Sequence, residues 1–492
     1  MSERLVGIQV GAASFVDEGV DAVLDTVQAR AAANTLFLAT PTWSRVTGAR
    51  ARPGDRFPGH GSPEPDADWV GGNYATVHPE YYASTILGPV GRAPEHPGWD
   101  MLEQVIPAAR TRGMDCYALM DESSYARHLR SYPNFLKVLE VDIWNKPARR
   151  PCFNNPDYRN WHLGLIEDYV KSYDLDGIMW SSERPGPLDR LIQEPTRQGL
   201  GLITCYCAHC KARGQERGID WRRAQEGYRK LVTWNAEVSR GEIPSDGAFV
   251  TFWRMLLTYP ELLSWQSLWA DGQHQMYRDI FGTVRAYRPE MQVGWNIPHN
   301  VSFSPFYRAG QNYADLSHIA DFLKISTYDN CAGPRFHTWI AAICRSVFGD
   351  ATPAQVYPLM LKLLGLDEGA YEALPRTGFS ANYVRRETQR ALVGSEGRCV
   401  IYAGIDIGID VGQSDDLASP GDSSLINADD TSGPGLTRTT PERVHAAVLA
   451  AFDGGARGIV LGDKYAQMRF DDLSGAGAAV AELKFRPNKT FG

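Results

Sequence analysis

Short apolar runs recur along the chain, and helical patterns separate most of them. Leu5–Val10, Thr35–Ala39, Asp115–Met120, Gly177–Trp180, Met291–Trp295, Phe322–Ser326, Cys399–Ala403 and Gly458–Leu461 are each four to six residues long and almost wholly apolar. Fully apolar short strands, in contrast to half-polar alternating ones, suit a parallel sheet buried on both faces. Between them, helical spacing covers Val20–Ala31, Asp100–Arg112 and Asp157–Ser172, where Trp161, Leu165, Ile166 and Tyr169 share one stripe. A longer helical region spans Trp221–Tyr287, with a break or kink predicted at Pro260.

Eight strands alternating with helices predict an α/β fold, a (β/α)8 barrel, formed by residues 1–492 as one domain with long loop insertions. The rival, a doubly wound open sheet, lacks its usual signals, since no G-x-G-x-x-G or G-K-[ST] follows any strand. Residues 44–97, rich in Gly and Pro, read as a loop laid over one face. Residues 185–285 read as an insertion of long helices that carries a cysteine cluster, and residues 411–440 as a lid loop after the seventh strand.

In such a barrel the chemistry belongs just after each strand. The second strand leads to Trp43, the third to Asp121 and Glu122, and the fourth to Glu183 and Arg184. The fifth leads to His299 and Asn300, the sixth to Tyr328 and Asp329, the seventh to Asp406 and the eighth to Lys464. Carboxylates and aromatics thus gather on one rim, as glycoside hydrolysis requires: one carboxyl group protonates the leaving oxygen while another attacks the anomeric carbon or activates water. Glu183 is the candidate acid/base. Its partner is Asp406 or Asp329, with Asp121 and Glu122 further candidates. Trp43, Trp180 and Trp295 are candidate platforms for a sugar ring. Asp121, Glu122, Tyr328, His299, Asn300 and Lys464 are candidate hydroxyl-binding groups, and Arg184 either holds Glu183 ionised or clamps an anionic substituent.

Composition narrows the field. The 492 residues carry 50 basic and 58 acidic side chains, a net charge of −8, which argues against a nucleic-acid partner. No apolar run approaches the ~18 residues of a membrane span, and the N-terminus has no secretory pattern, so a cytoplasmic protein is expected. The 13 Trp, 22 Tyr and 18 Phe fit a large aromatic core first and a carbohydrate ligand second. No organic cofactor motif is present.

Eight cysteines are too few for a disulfide scaffold in so long a chain, and three crowd into Cys205-Tyr206-Cys207-Ala208-His209-Cys210. Three thiolates at this spacing can share one tetrahedral Zn²⁺. Cys152 is the favoured fourth ligand and His209 the alternative. With four protein ligands the ion has no open position and is structural. Cys116, Cys331, Cys344 and Cys399 lie in or near apolar segments and read as core residues.

The order R-R-x-C-x-N-x-P at 149–156, a strand ending in Glu183, then C-x-C-x-x-C at 205–210 resembles glycoside hydrolase family 42, the β-galactosidases of clan A. The resemblance covers roughly residues 149 to 213. It implies that Glu183 is the acid/base and that Cys152, Cys205, Cys207 and Cys210 hold a structural zinc. Relatives of this kind are commonly oligomeric, which leaves a homo-oligomer open, while the expected substrate, a small glycoside or oligosaccharide, comes from the carboxylate pair and not from the family. The chain departs from that pattern at Ser182, where the family has Asn, and at Asp406, where it has Glu. Two other readings share the same residues: a carbohydrate-binding barrel without turnover, and a barrel lyase or isomerase whose metal is held by Asp121, Glu122, Asp329 and His299.

Overall fold

A computed structural model describes residues 4–41, 60, 70–122, 132–193, 203–408, 439–462 and 464–484. Trp43, residues 44–59 and 61–69 of the 44–97 segment, and nearly all of 411–440 fall outside the described residues.

Eight parallel strands close into a barrel. In chain order these are β1 (Leu5–Gly11), β2 (Thr35–Ala39), β3 (Asp115–Asp121), β6 (Gly177–Ser181), β7 (Gln292–Ile297), β8 (Phe322–Ser326), β9 (Val400–Asp406) and β10 (Gly458–Gly462). Hydrogen bonding joins them in the order β1-β10-β9-β8-β7-β6-β3-β2, so each strand pairs with its neighbours in the series and the ring has no free edge. The fold is a (β/α)8 barrel. The strands run up to three residues further at their C-terminal ends than the apolar runs alone predict, because the added Gly11, Asp121, Ser181, Asn296 and Asp406 are polar or small. Two short strands inside the excursion between β3 and β6, β4 (Leu139–Val141) and β5 (Pro147–Pro151), form an antiparallel hairpin that hydrophobic periodicity did not reveal.

Strand alternation divides the interior from the outer layer. Phe37, Tyr117, Leu119, Met179, Phe322 and Val460 fill the barrel as one cluster. Gly294 opposite Phe322 makes this possible, since a Cβ there would overlap the ring. Toward the C-terminal ends the same inward face turns polar: Gln9, Asp121, Ser181, Asn296, Lys324, Ser326 and Asp406 continue the alternation of the apolar fillers. The residues between them point outward into the helical layer.

The Trp221–Tyr287 region is three helices, Trp221–Ser239, Ala248–Thr258 and Glu261–Tyr287, the last of which begins beside Pro260 as expected. It packs on the Pro156–Ser172 helix, whose Asn155 side chain accepts from the Asp157 and Tyr158 amides and fixes its start. No described helix is long and apolar enough to cross a membrane.

Candidate active site

The polar end of the barrel interior holds two hydrogen-bonded groups of side chains. Lys324, the inward residue at the middle of β8, places Nζ 2.8 Å from Asn296 Oδ1 and 3.3 Å from Ser326 Oγ, and also donates to the Tyr328 hydroxyl. Asn296 Nδ2 donates to Ser181 Oγ at 2.9 Å and to Glu183 Oε1 at 3.4 Å. On the other side Lys464 Nζ donates to Gln9 Oε1 at 2.9 Å. Gly462 separates the two halves: a Cβ there would lie 2.7 Å from the Tyr328 hydroxyl and 3.2 Å from Gln9 Nε2, so glycine lets these side chains converge.

Burial sorts these groups. Asp121, Glu183 and Tyr328 are half-buried, whereas Gln9, Asn296, Lys324, Asp406 and Lys464 are buried. The half-buried set is what a ligand in the mouth would meet first.

Several residues predicted at the rim are committed elsewhere. Arg184 does not hold Glu183. Its Nε lies 2.9 Å from Glu122 Oε2, its Nη2 also donates to Glu122, and its Nη1 lies 2.5 Å from the Pro151 carbonyl. Tyr158 donates to the same carboxylate, and the guanidinium lies over the Phe153 ring at 4.4 Å. Burial alone would lower the Arg184 guanidinium, but the facing Glu122 more than offsets it and the group stays cationic. Glu122 and Arg184 therefore form an ion pair beneath the mouth, with neither side chain offered to a ligand.

Trp180 and Trp295 occupy the outward positions of their strands. They meet edge to face at 6.5 Å, and both contact Tyr277 of the helical layer. Neither is more than 0% exposed, so neither offers a face to a sugar ring. Trp43 lies outside the described residues. His299 is buried, with Nε2 at 3.1 Å from the Tyr383 hydroxyl and Nδ1 at 3.7 Å from Cys331 Sγ. Burial, reinforced by Arg335 and Lys324, pulls its imidazole well below the usual range, so it is neutral. Asn300 opens the short helix that follows.

The two remaining acids differ in direction. Asp406 takes an inward register position opposite Gly462, and its Oδ2 accepts from the Cys331 amide at 2.9 Å in the first turn of the Asp329–Ile343 helix. Asp329 instead meets Arg443 at 3.3 Å, on a helix of the outer layer. Burial, then the neighbouring Asp406, pushes its carboxyl up to about 7.

Beside the barrel, Cys152, Cys205, Cys207 and Cys210 bring their sulfurs within 4.8 Å of one another in a buried cluster that could hold a metal. Cys152 follows β5, and the chain at Tyr206 hydrogen-bonds back to Val141 of β4 at 2.7 Å. Thus the unforeseen hairpin brings the distant cysteines together. His209 is exposed and outside the cluster.

Lys324, Asn296 and Gln9 were absent from the predicted site. Lys324 carried a legible signal: a lysine at the centre of an otherwise apolar buried strand requires a polar interior.

No family model matches the chain, and no curated protein sequence matches it. Solved structures do. The β-galactosidase of the psychrophilic Marinomonas ef1 superposes with a TM-score of 0.50 at 9% identity, over 98% of this chain and 59% of that one. The polyextremophilic β-galactosidase of the Antarctic haloarchaeon Halorubrum lacusprofundi gives 0.51 at 14% identity, over 98% and 58%. At these identities the likeness is one of fold, and the chain spans just under three fifths of the length of either structure.

Proposed function

We propose that the protein is a glycoside hydrolase cleaving a small glycoside or oligosaccharide, with Glu183 as the acid/base. The observation that carries this reading is convergence. Half-buried Glu183, held by Asn296, shares the C-terminal mouth of a closed barrel with inward-facing acids from other strands. The resemblance of residues 149–213 to glycoside hydrolase family 42 and the barrels of the two β-galactosidases agree with it.

Asp406 is the favoured partner of Glu183. It lies three strands away around an eight-stranded ring, nearly opposite, and takes an inward position. A substrate between them would have its leaving oxygen at Glu183 and its anomeric carbon toward Asp406. Asp329 is the weaker candidate, because its carboxyl meets Arg443 in the outer layer. One observation favours Asp121 as an alternative partner: it is half-buried where Asp406 is 2% exposed. Parallel assay of Asp406→Asn and Asp121→Asn on a panel of 4-nitrophenyl glycosides decides between them. The partner's substitution should abolish turnover and the other should chiefly raise KM. Full activity in both would remove the paired-carboxylate mechanism.

The cysteine cluster fits a structural Zn²⁺. A tetrahedral site with Zn–S of about 2.3 Å has sulfur–sulfur edges of about 3.8 Å. Here Cys152 Sγ lies 3.5 Å from Cys210 Sγ and 3.7 Å from Cys207 Sγ. Asn154 Nδ2 donates to Cys210 Sγ at 3.3 Å, the kind of outer hydrogen bond that orients a thiolate ligand. When bound, the ion would cross-link the 152 and 205–210 segments and take no part in bond cleavage.

A further inference from the structure

We propose that Lys324 is a positioning residue for Glu183, acting through the side-chain amide of Asn296; this rests on reading Glu183 as the proton donor. A lysine ammonium has three donors and nothing to accept with. The face of Asn296 turned toward Lys324 must therefore be its oxygen, and Oδ1 receives Lys324 Nζ at 2.8 Å together with Ser326 Oγ at 3.3 Å. With Oδ1 pinned from one side, Nδ2 is obliged to face the other. It donates to Ser181 Oγ at 2.9 Å and to Glu183 Oε1 at 3.4 Å. The cation thus selects which end of the amide meets the carboxyl group, and the amide, polarised by the ammonium, favours the carboxylate over the acid.

The same contacts exclude a simpler role. Asn296 Oδ1, Ser326 Oγ and the Tyr328 hydroxyl all lie within hydrogen-bonding reach of Lys324 Nζ, so the amine is engaged by side chains of the barrel and is not presented as a free nucleophile. The barrel is cut away to hold it there. A Cβ on Gly404 of β9 would lie 2.6 Å from Lys324 Cε and 3.0 Å from Nζ. Among the described residues, titratable groups facing Glu183 include Tyr277 from the Glu261–Tyr287 helix and Tyr307 from the Pro305–Ala309 helix. Asp121 lies one strand away, and Arg184 turns away to Glu122. Lys324 is the cation connected to Glu183 through Asn296.

The test is the titration of Glu183 in the free protein labelled with ¹³C at glutamate side-chain carboxyl groups, its signal identified by loss in Glu183→Gln. Lys324→Met and Asn296→Ala should each raise the midpoint by about one pH unit, a tenfold change in proton affinity. The double variant should move it no further, because the two residues act in series. An unchanged midpoint in Lys324→Met, or additive shifts in the double variant, overturns the proposal. Should Lys324→Met fail to fold, Gly404→Ala serves, since it keeps the lysine but drives its end off Asn296. It must raise the midpoint, and an unmoved midpoint again overturns the proposal. None of these readings needs turnover, so a failure of the hydrolase reading would show separately, as retained activity in Glu183→Gln.

Discussion

Arg184 grips Glu122 through two nitrogens, with Nε 2.9 Å from Oε2, and in doing so it anchors the residue immediately after Glu183. Its third nitrogen holds the Pro151 carbonyl, one residue before Cys152. The acid/base candidate, the β3 end and the cysteine cluster are therefore tied to a single guanidinium. Glu140 adds a second carboxylate 4.0 Å away, itself bound by Arg150 and Thr204.

That arrangement predicts an asymmetric response to substitution. Glu122→Gln leaves a buried guanidinium without its full counter-charge and should cost about 3–5 kcal/mol in urea unfolding. The double variant Glu122→Leu/Arg184→Met removes both charges and should recover most of the loss. A double variant no more stable than Glu122→Gln alone would contradict an unpaired buried charge as the source of the loss.

Metal content is a separate expectation. Native mass spectrometry of the protein made in zinc-containing medium should show one zinc per chain, and Cys207→Ser should weaken zinc binding at least tenfold, about 1.4 kcal/mol. Because the ion braces the 152 and 205–210 segments away from the barrel mouth, the thermal midpoint should fall with the metal. The shape of the pH–activity profile should not change. A profile altered by metal loss would place the ion in the reaction.

Asp329 gives the pH dependence a definite sign. Its carboxyl is raised from 3.8 to about 7 by burial and by Asp406, so between those values the folded state holds a proton that the unfolded chain has lost. Stability from this group is present in acid and is lost as pH rises toward 7. Asp329→Asn should therefore narrow the difference in Tm between pH 5 and pH 8. An equal or wider difference would contradict the assignment.

How much of this was legible in the sequence follows from what each signal measures. The eight strands were readable because a barrel strand buried on both faces is apolar throughout, and Thr35–Ala39 and Phe322–Ser326 have the predicted bounds. The β4–β5 hairpin was not, because Leu139–Val141 and Pro147–Pro151 are short, rich in charge and stabilised by Glu140–Arg150 pairing in place of an apolar face. The rim positions were legible but the directions of side chains were not. Trp180 and Ser181 are consecutive on one strand, and only the register decides that the tryptophan faces the helices while the serine faces the mouth. Glu122 and Arg184 look like site residues from spacing alone. Only their mutual contact, across 62 positions, shows that each satisfies the other.

The central claim, that Glu183 delivers a proton to a leaving sugar oxygen, is tested most directly by Glu183→Gln assayed on paired aryl glycosides with poor and good leaving groups. The expected result is a loss of roughly 10²–10⁴-fold in kcat/KM with the poor leaving group, which needs the proton, and a much smaller loss with the good one, which does not. Equal losses for the two, or none for either, would contradict it.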